Sequence, residues 1–95
     1  MDIESNVEKY FLKRAKAAGA WCPKFTSPGT RGVPDRLVFR ADGGFELVEL
    51  KKPGEKLRPS QIVIKKKLEN TYGQTVTVLD SKAAVDEYWK GRDVV

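Results

Sequence analysis

The sequence predicts a small α/β domain, with helices packed on a mixed sheet in the order α-β-β-β-α-β-α. Three observations predict it. Ninety-five residues, 40% hydrophobic and 33% charged, suit one globular domain (residues 1–95) with a single modest core. Two β-rich runs, 36–40 (RLVFR) and 45–50 (FELVEL), flank the turn signal Ala41-Asp42-Gly43-Gly44, so they pair as an antiparallel hairpin. A helix-like stretch then separates the second run from a third, 75–79 (TVTVL). A crossover of that kind makes the last strand pair parallel.

Each element has its own signal. Residues 3–18 read as a helix because Ile3, Val7, Tyr10, Phe11 and Ala18 fall in one apolar stripe. Asp2 can cap its start, and Gly19 suits the left-handed position past its end. Residues 20–25 (AWCPKF) read as a short strand confined to the sheet edge, since Pro23 has no N–H to donate. TSPGTRGVP (26–34) is turn chemistry throughout. After a loop bounded by Pro53 and Pro59, Ser60 is a natural N-cap for a helix over 61–72, which Gly73 stops. In that helix Gln61, Ile64, Leu68 and Tyr72 share an inward face. Asp80 or Ser81 caps a last helix over 82–90, with Val85 and Trp89 on one side. Trp21, Phe25, Tyr72 and Trp89 read as core or interface aromatics rather than as platforms for bases.

Composition removes several function classes. No apolar stretch approaches membrane-spanning length. The first residues, MDIESNVEKYFLKR, carry charges where a secretory signal is apolar, so no signal peptide is expected. A single cysteine, Cys22, excludes an internal disulfide framework and points to a reducing cytoplasm. With no histidine at all, His-based triads, His general bases and His-containing zinc cages are excluded. Any catalysis must run on carboxylates, Lys, Arg, hydroxyls or a metal held by oxygen.

Charge is concentrated. The net charge is +5, yet residues 51–67 (KKPGEKLRPSQIVIKKK) alone sum to +6 and the remainder to −1. Such a segment is an electrostatic footprint for phosphate backbone or, equally, a solvated lysine-rich face.

The acids near the hairpin carry chemistry. Asp35 opens one strand while Glu49 and Lys51 close the next, and antiparallel pairing brings the start of one beside the end of the other. Strand period puts Glu49 and Lys51 on one face, and Glu46 and Val48 on the other. Two carboxylates can hold Mg²⁺ or Mn²⁺ through oxygen, while a lysine orients water and neutralises phosphate. Turn hydroxyls and amides around Ser27 and Thr30, with Arg31, offer a phosphate clamp beside Asp35. Arg36, Lys52, Lys56, Arg58 and the run Lys65, Lys66, Lys67 are candidate backbone contacts, with Lys65 one turn after Gln61.

Pro34-Asp35 followed by Glu49-Leu50-Lys51 resembles the PD-(D/E)XK nuclease signature. The longer strings GVPDR (32–36) and FELVELKKPGEKLRPSQ (45–61) resemble its VRR-NUC branch, the virus-type replication-repair nuclease domain, over essentially the whole chain. The resemblance implies a restriction-endonuclease-like core and metal-dependent hydrolysis of DNA. It makes Asp35, Glu49 and the Leu50 backbone carbonyl ligands of Mg²⁺ or Mn²⁺, and Lys51 the catalytic lysine. Gln61 becomes a site amide bonded to metal-bound water or to the lysine. It further implies a carboxylate ligand on the first helix, Glu8 in first place and Glu4 in second. Stand-alone members resemble homodimers acting on branched DNA such as four-way (Holliday) junctions, in the cytoplasm of a bacterial or phage-infected cell. A nuclease of nicking, flap or restriction-like specificity, a catalytically silent nucleic-acid-binding module and a basic scaffold for protein partners remain the alternatives.

Overall fold

The computed structural model describes residues 4–92, and for Glu4 and Ser5 the backbone alone. It contains α1 (Glu4–Ala17), β1 (Arg36–Phe39), β2 (Phe45–Leu50), α2 (Pro59–Tyr72), β3 (Val76–Leu79) and α3 (Lys82–Trp89). The three strands form one mixed sheet in the order β1-β2-β3, with β1 antiparallel and β3 parallel to β2. Among the described residues no helix is long and apolar enough to cross a membrane.

The hairpin is as the turn residues require. Phe39 pairs with Phe45 and Arg36 with Val48, while Asp42 Oδ1 accepts the Gly44 N–H at 2.8 Å inside the turn. Even-numbered side chains of this hairpin point to one face. There Val38, Val48 and Leu50 join Val7, Phe11, Ala15 and Ala18 of the first-helix region, Leu79 of β3, and Val85 and Trp89 of α3 in the main core. Phe11 and Trp89 meet at 5.3 Å between ring centroids, and both are fully buried. Losing either ring would cost about 3–5 kcal/mol. The same face carries Glu46, held by Arg40, Arg92 and the Tyr88 hydroxyl, which ties the hairpin to α3. The opposite face is thinner: Leu47 and Val76 are buried on it, and α2, which has no fully buried residue, packs on β3.

Several expectations shift in detail. The predicted edge strand over 20–25 is not a continuous strand, and two isolated bridges, Trp21 to Phe39 and Lys24 to Arg36, replace it. Trp21 and Phe39 exchange both backbone bonds, Pro23 accepts from the Leu37 N–H, and Phe25 donates to Asp35. Pro23 has no N–H to return to Leu37, so the ladder breaks in its middle. α2 starts two residues earlier than predicted, with Pro59 in its first turn and Arg58 at the N-cap. Ser60 is therefore inside the helix rather than its cap, because proline's fixed φ suits a first helical turn. Tyr72 is 60% exposed rather than inward, since the helix ends there at Gly73 (φ 64°). Ser81, not Asp80, caps α3, accepting the Ala84 N–H at 3.0 Å. Of the first helix's predicted start, Asp2 and Ile3 lie outside the described residues.

One close approach fixes the turn-rich loop against α2. A Cβ on Gly32 (φ +88°) would sit 2.3 Å from the Ser60 carbonyl oxygen, whereas one on Gly29 would meet nothing within 4 Å. Gly32→Ala is expected to lower stability by about 2 kcal/mol, while Gly29→Ala is near neutral. Urea midpoints of the two variants check this, and equal midpoints would refute the contact.

Candidate active site

The hairpin register carried one step past Arg36 and Val48 places Asp35 across from Glu49. The two do not meet by ion pairing, since both are acids; the backbone brings them together. Asp35 is anchored from the side, its Oδ2 accepting the Leu50 N–H at 2.8 Å. The N–H of Lys51, in turn, donates to Leu79 of β3 at 2.9 Å. Successive strand residues alternate between flanks, so the Leu50 carbonyl faces the Asp35 side together with its own N–H.

Glu49 is the centre of the cluster and only 3% exposed. Its Oε2 accepts the Gln61 side-chain N–H at 2.9 Å and lies 3.5 Å from Lys51 Nζ. Burial, and then the neighbouring Asp35 charge, push its carboxyl up to about 7, against the opposing pull of Lys51. Lys51 is equally buried, with Glu55 Oε1 4.0 Å from Nζ. Gln61 was expected to bond metal-bound water or the lysine. Instead it grips Glu49 directly, and its orientation is set by its own carbonyl, which accepts the Arg58 N–H at 2.8 Å at the start of α2. A helix-start hydrogen bond thereby aims a donor into the site.

The donor set suits a hard divalent cation. Glu49 Oε1 and Glu55 Oε1 are buried without hydrogen-bond partners; Glu55 Oε1 still has Lys51 Nζ at 4.0 Å, whereas a buried carboxylate oxygen with no partner is costly unless something occupies it. The Glu49 carboxyl beside Asp35, with the Leu50 carbonyl on the same flank, gives oxygen ligands of the kind that Mg²⁺ and Mn²⁺ take. Glu8 is not in this set. Its Oε2 accepts from Arg36 Nη2 at 3.0 Å, and no group of three or more His, Cys, Asp or Glu able to hold a metal ion exists among the described residues. Arg36 points to the even-numbered face, opposite to Asp35 by strand alternation, and holds the α1 carboxylate. The Glu4 side chain lies outside the described residues.

Among the expected phosphate contacts, Arg36 is corrected by its burial: it is 8% exposed and also bonds the Cys22 carbonyl at 3.0 Å, so it braces the fold. Lys65 does not reach toward the site, because both Glu69 oxygens hold it at 2.9 and 3.0 Å. Thr30, Arg31, Lys52, Lys56, Arg58, Lys66 and Lys67 are exposed and Ser27 half-buried. Arg31, Val33, Arg58, Ser60 and Gln61 line an open cavity of about 390 Å³ where the turn-rich loop meets α2. Glu55 was not singled out from the sequence. Its spacing of four from Lys51 was the available signal, hidden in a loop that reads as basic.

No family model matches the chain. Over 79 residues, 83% of this chain and 84% of the relative, it is 43% identical to "Putative nuclease p44" of Acyrthosiphon pisum secondary endosymbiont phage 1. A solved structure described as a VRR_NUC domain superposes with a TM-score of 0.83 at 30% identity, covering 93% of this chain and 95% of that one.

The Glu49 environment has a measurable consequence. The folded protein holds the Glu49 proton up to about 7, the unfolded chain only to its ordinary 4.5. Stability from this group is therefore greatest below the unfolded value, declines as pH rises between the two, and is level above. Urea midpoints across that window, without divalent cation, are expected to show a decline in the wild type that Glu49→Gln removes. An identical slope in both proteins would refute the assignment.

Proposed function

The chain belongs to the VRR-NUC family of PD-(D/E)XK nucleases, and from that premise we propose that it is a metal-dependent endodeoxyribonuclease that cuts branched DNA such as four-way junctions as a homodimer. The observation that carries the chemistry is the convergence of Asp35, Glu49, Lys51 and Gln61, with Glu49 gripped at 2.9 Å by the amide and flanked at 3.5 Å by the ammonium.

Asp35, Glu49 and the Leu50 carbonyl would hold Mg²⁺ or Mn²⁺, which supplies Lewis-acid polarisation of the phosphate and an acidified water. The chain's own groups do the positioning. Gln61 fixes the Glu49 carboxylate, and the Leu50 N–H fixes that of Asp35. Lys51, within 3.5 Å of Glu49 and 4.0 Å of Glu55, places a positive charge where negative charge grows on the scissile phosphate and orients the attacking water. Glu8 acts at one remove by holding Arg36, the residue that follows Asp35. Ser27, Thr30, Arg31, Lys52, Lys56, Arg58, Lys66 and Lys67 contact the backbone, giving affinity that ignores base sequence. Paired incisions in a junction suit two sites related by a two-fold axis, and one copy, with extents of 37 × 34 × 21 Å, is small against a branched substrate. The cytoplasm of a bacterial or phage-infected cell is the compartment that this reading assigns.

Cleavage of labelled four-way junction, flap and linear duplex with Mg²⁺, Mn²⁺ or chelator tests the proposal, with sedimentation reporting the oligomer. Junction cutting is expected only with cation and is abolished by Asp35→Ala or Glu49→Ala while DNA binding persists. Lys51→Ala is expected to lower turnover about a hundredfold or more. Cutting by Asp35→Ala at the wild-type rate would overturn the metal site, and equal rates on linear duplex would overturn the junction preference. Replacing Lys66 and Lys67 with Ala is expected to weaken binding on every sequence alike and to flatten its salt dependence. An unchanged salt slope would remove those lysines from the interface.

A further inference from the structure

The face that carries Glu49 has a second feature at its other end. Phe45, Leu47 and Glu49 share that face by strand period, as do Asp35, Leu37 and Phe39. Phe39 pairs with Phe45 on one side and bridges to Trp21 on the other, so three aromatic rings form one row across the sheet. Trp21 stacks on Phe39 at 5.4 Å between centroids and 24° between planes, and Phe39 meets Phe45 at 5.3 Å. The row is open to solvent: Trp21 is 67%, Phe39 39% and Phe45 45% exposed. A near-parallel stack leaves the outer face of the indole free.

Resting on the nuclease reading, we propose that this row is a stacking platform for unpaired bases of the DNA strand whose phosphate lies at Asp35 and Glu49. Four residues separate each acid from the aromatic row along its strand, about 13 Å at ~3.3 Å per residue. That is about four base steps at the ~3.4 Å spacing along a strand, so one strand spans both features. α2 packs on β3, and the aromatic row itself stays exposed. An exposed cation, Arg31, lies at the site end of this face. An occupant whose anionic groups meet Arg31 and, through a divalent ion, the acid pair, and whose flat apolar groups fall within about four steps, is a nucleotide strand. A second copy of the chain seated on the row would lie across the same face that the substrate must reach.

The test reads binding without divalent cation, so it does not depend on cleavage. Fluorescence anisotropy compares a blunt duplex with the same duplex carrying an unpaired arm of about four thymidines on either strand. Trp21→Ala is expected to weaken the arm-bearing DNA about tenfold, as loss of base stacking does, and the blunt duplex less than about twofold. Trp21→Tyr, which keeps a ring, retains the preference. Phe45→Ala, on the neighbouring strand, loses part of it. Indole emission quenched by the armed DNA in the wild type, and not in Trp21→Phe, locates the contact at Trp21 rather than the buried Trp89. Equal effects on both DNAs, or none, would overturn the proposal. So would a fall in oligomeric state in Trp21→Ala, which would assign the row to a second copy. A wild type that binds armed DNA through Trp21 but cuts nothing with Mg²⁺ or Mn²⁺ would sink the nuclease reading and leave the platform standing.

Discussion

The register between β1 and β2 is the constraint on which the site depends. Because strand side chains alternate, a slip of one residue would turn Asp35 or Glu49 to the opposite face and dissolve the acid pair. Three local devices resist that slip. The Asp42–Gly44 turn sets the hairpin's length, Glu46 is held by Arg40, Arg92 and Tyr88 on the core face, and the Asp35 carboxylate locks onto the Leu50 N–H. The last of these makes a site residue part of its own scaffold.

Stability and chemistry are divided between the two faces of the sheet. The face toward α1 and α3 carries the apolar core, with Phe11, Val38, Val48, Val85 and Trp89 fully buried. The other face carries the charged cluster, where burial works against ionisation and the Asp35 charge adds to it. Burying an acid and a lysine side by side costs desolvation that their attraction offsets only in part. The Glu49 oxygen without a hydrogen bond marks where that cost is left standing. Separating the layers lets a small domain keep a strained polar site without weakening its core.

Arg36 shows how adjacent residues can serve opposite faces. Asp35 faces the acid pair, while its neighbour turns through the sheet to Glu8 and the Cys22 carbonyl. The bridge couples the α1 carboxylate to the strand that bears Asp35, so α1 bears on the site through geometry.

Much of this was legible in the residues themselves. Helix and strand identities, the hairpin, the parallel crossover and the grouping of Asp35, Glu49 and Lys51 follow from short-range rules: periodicity, turn chemistry and alternation. Those rules act over a few residues and leave their trace in the local string. What the tertiary structure alone decided is which partners the long polar side chains choose. Glu8 and Arg36 lie 28 residues apart. The amide of Gln61 binds a carboxylate rather than the lysine, and Trp21 stays in solvent. Flexible side chains with several charged neighbours in reach select among them by burial and by the competing donors of distant segments, and neither is written in the local sequence.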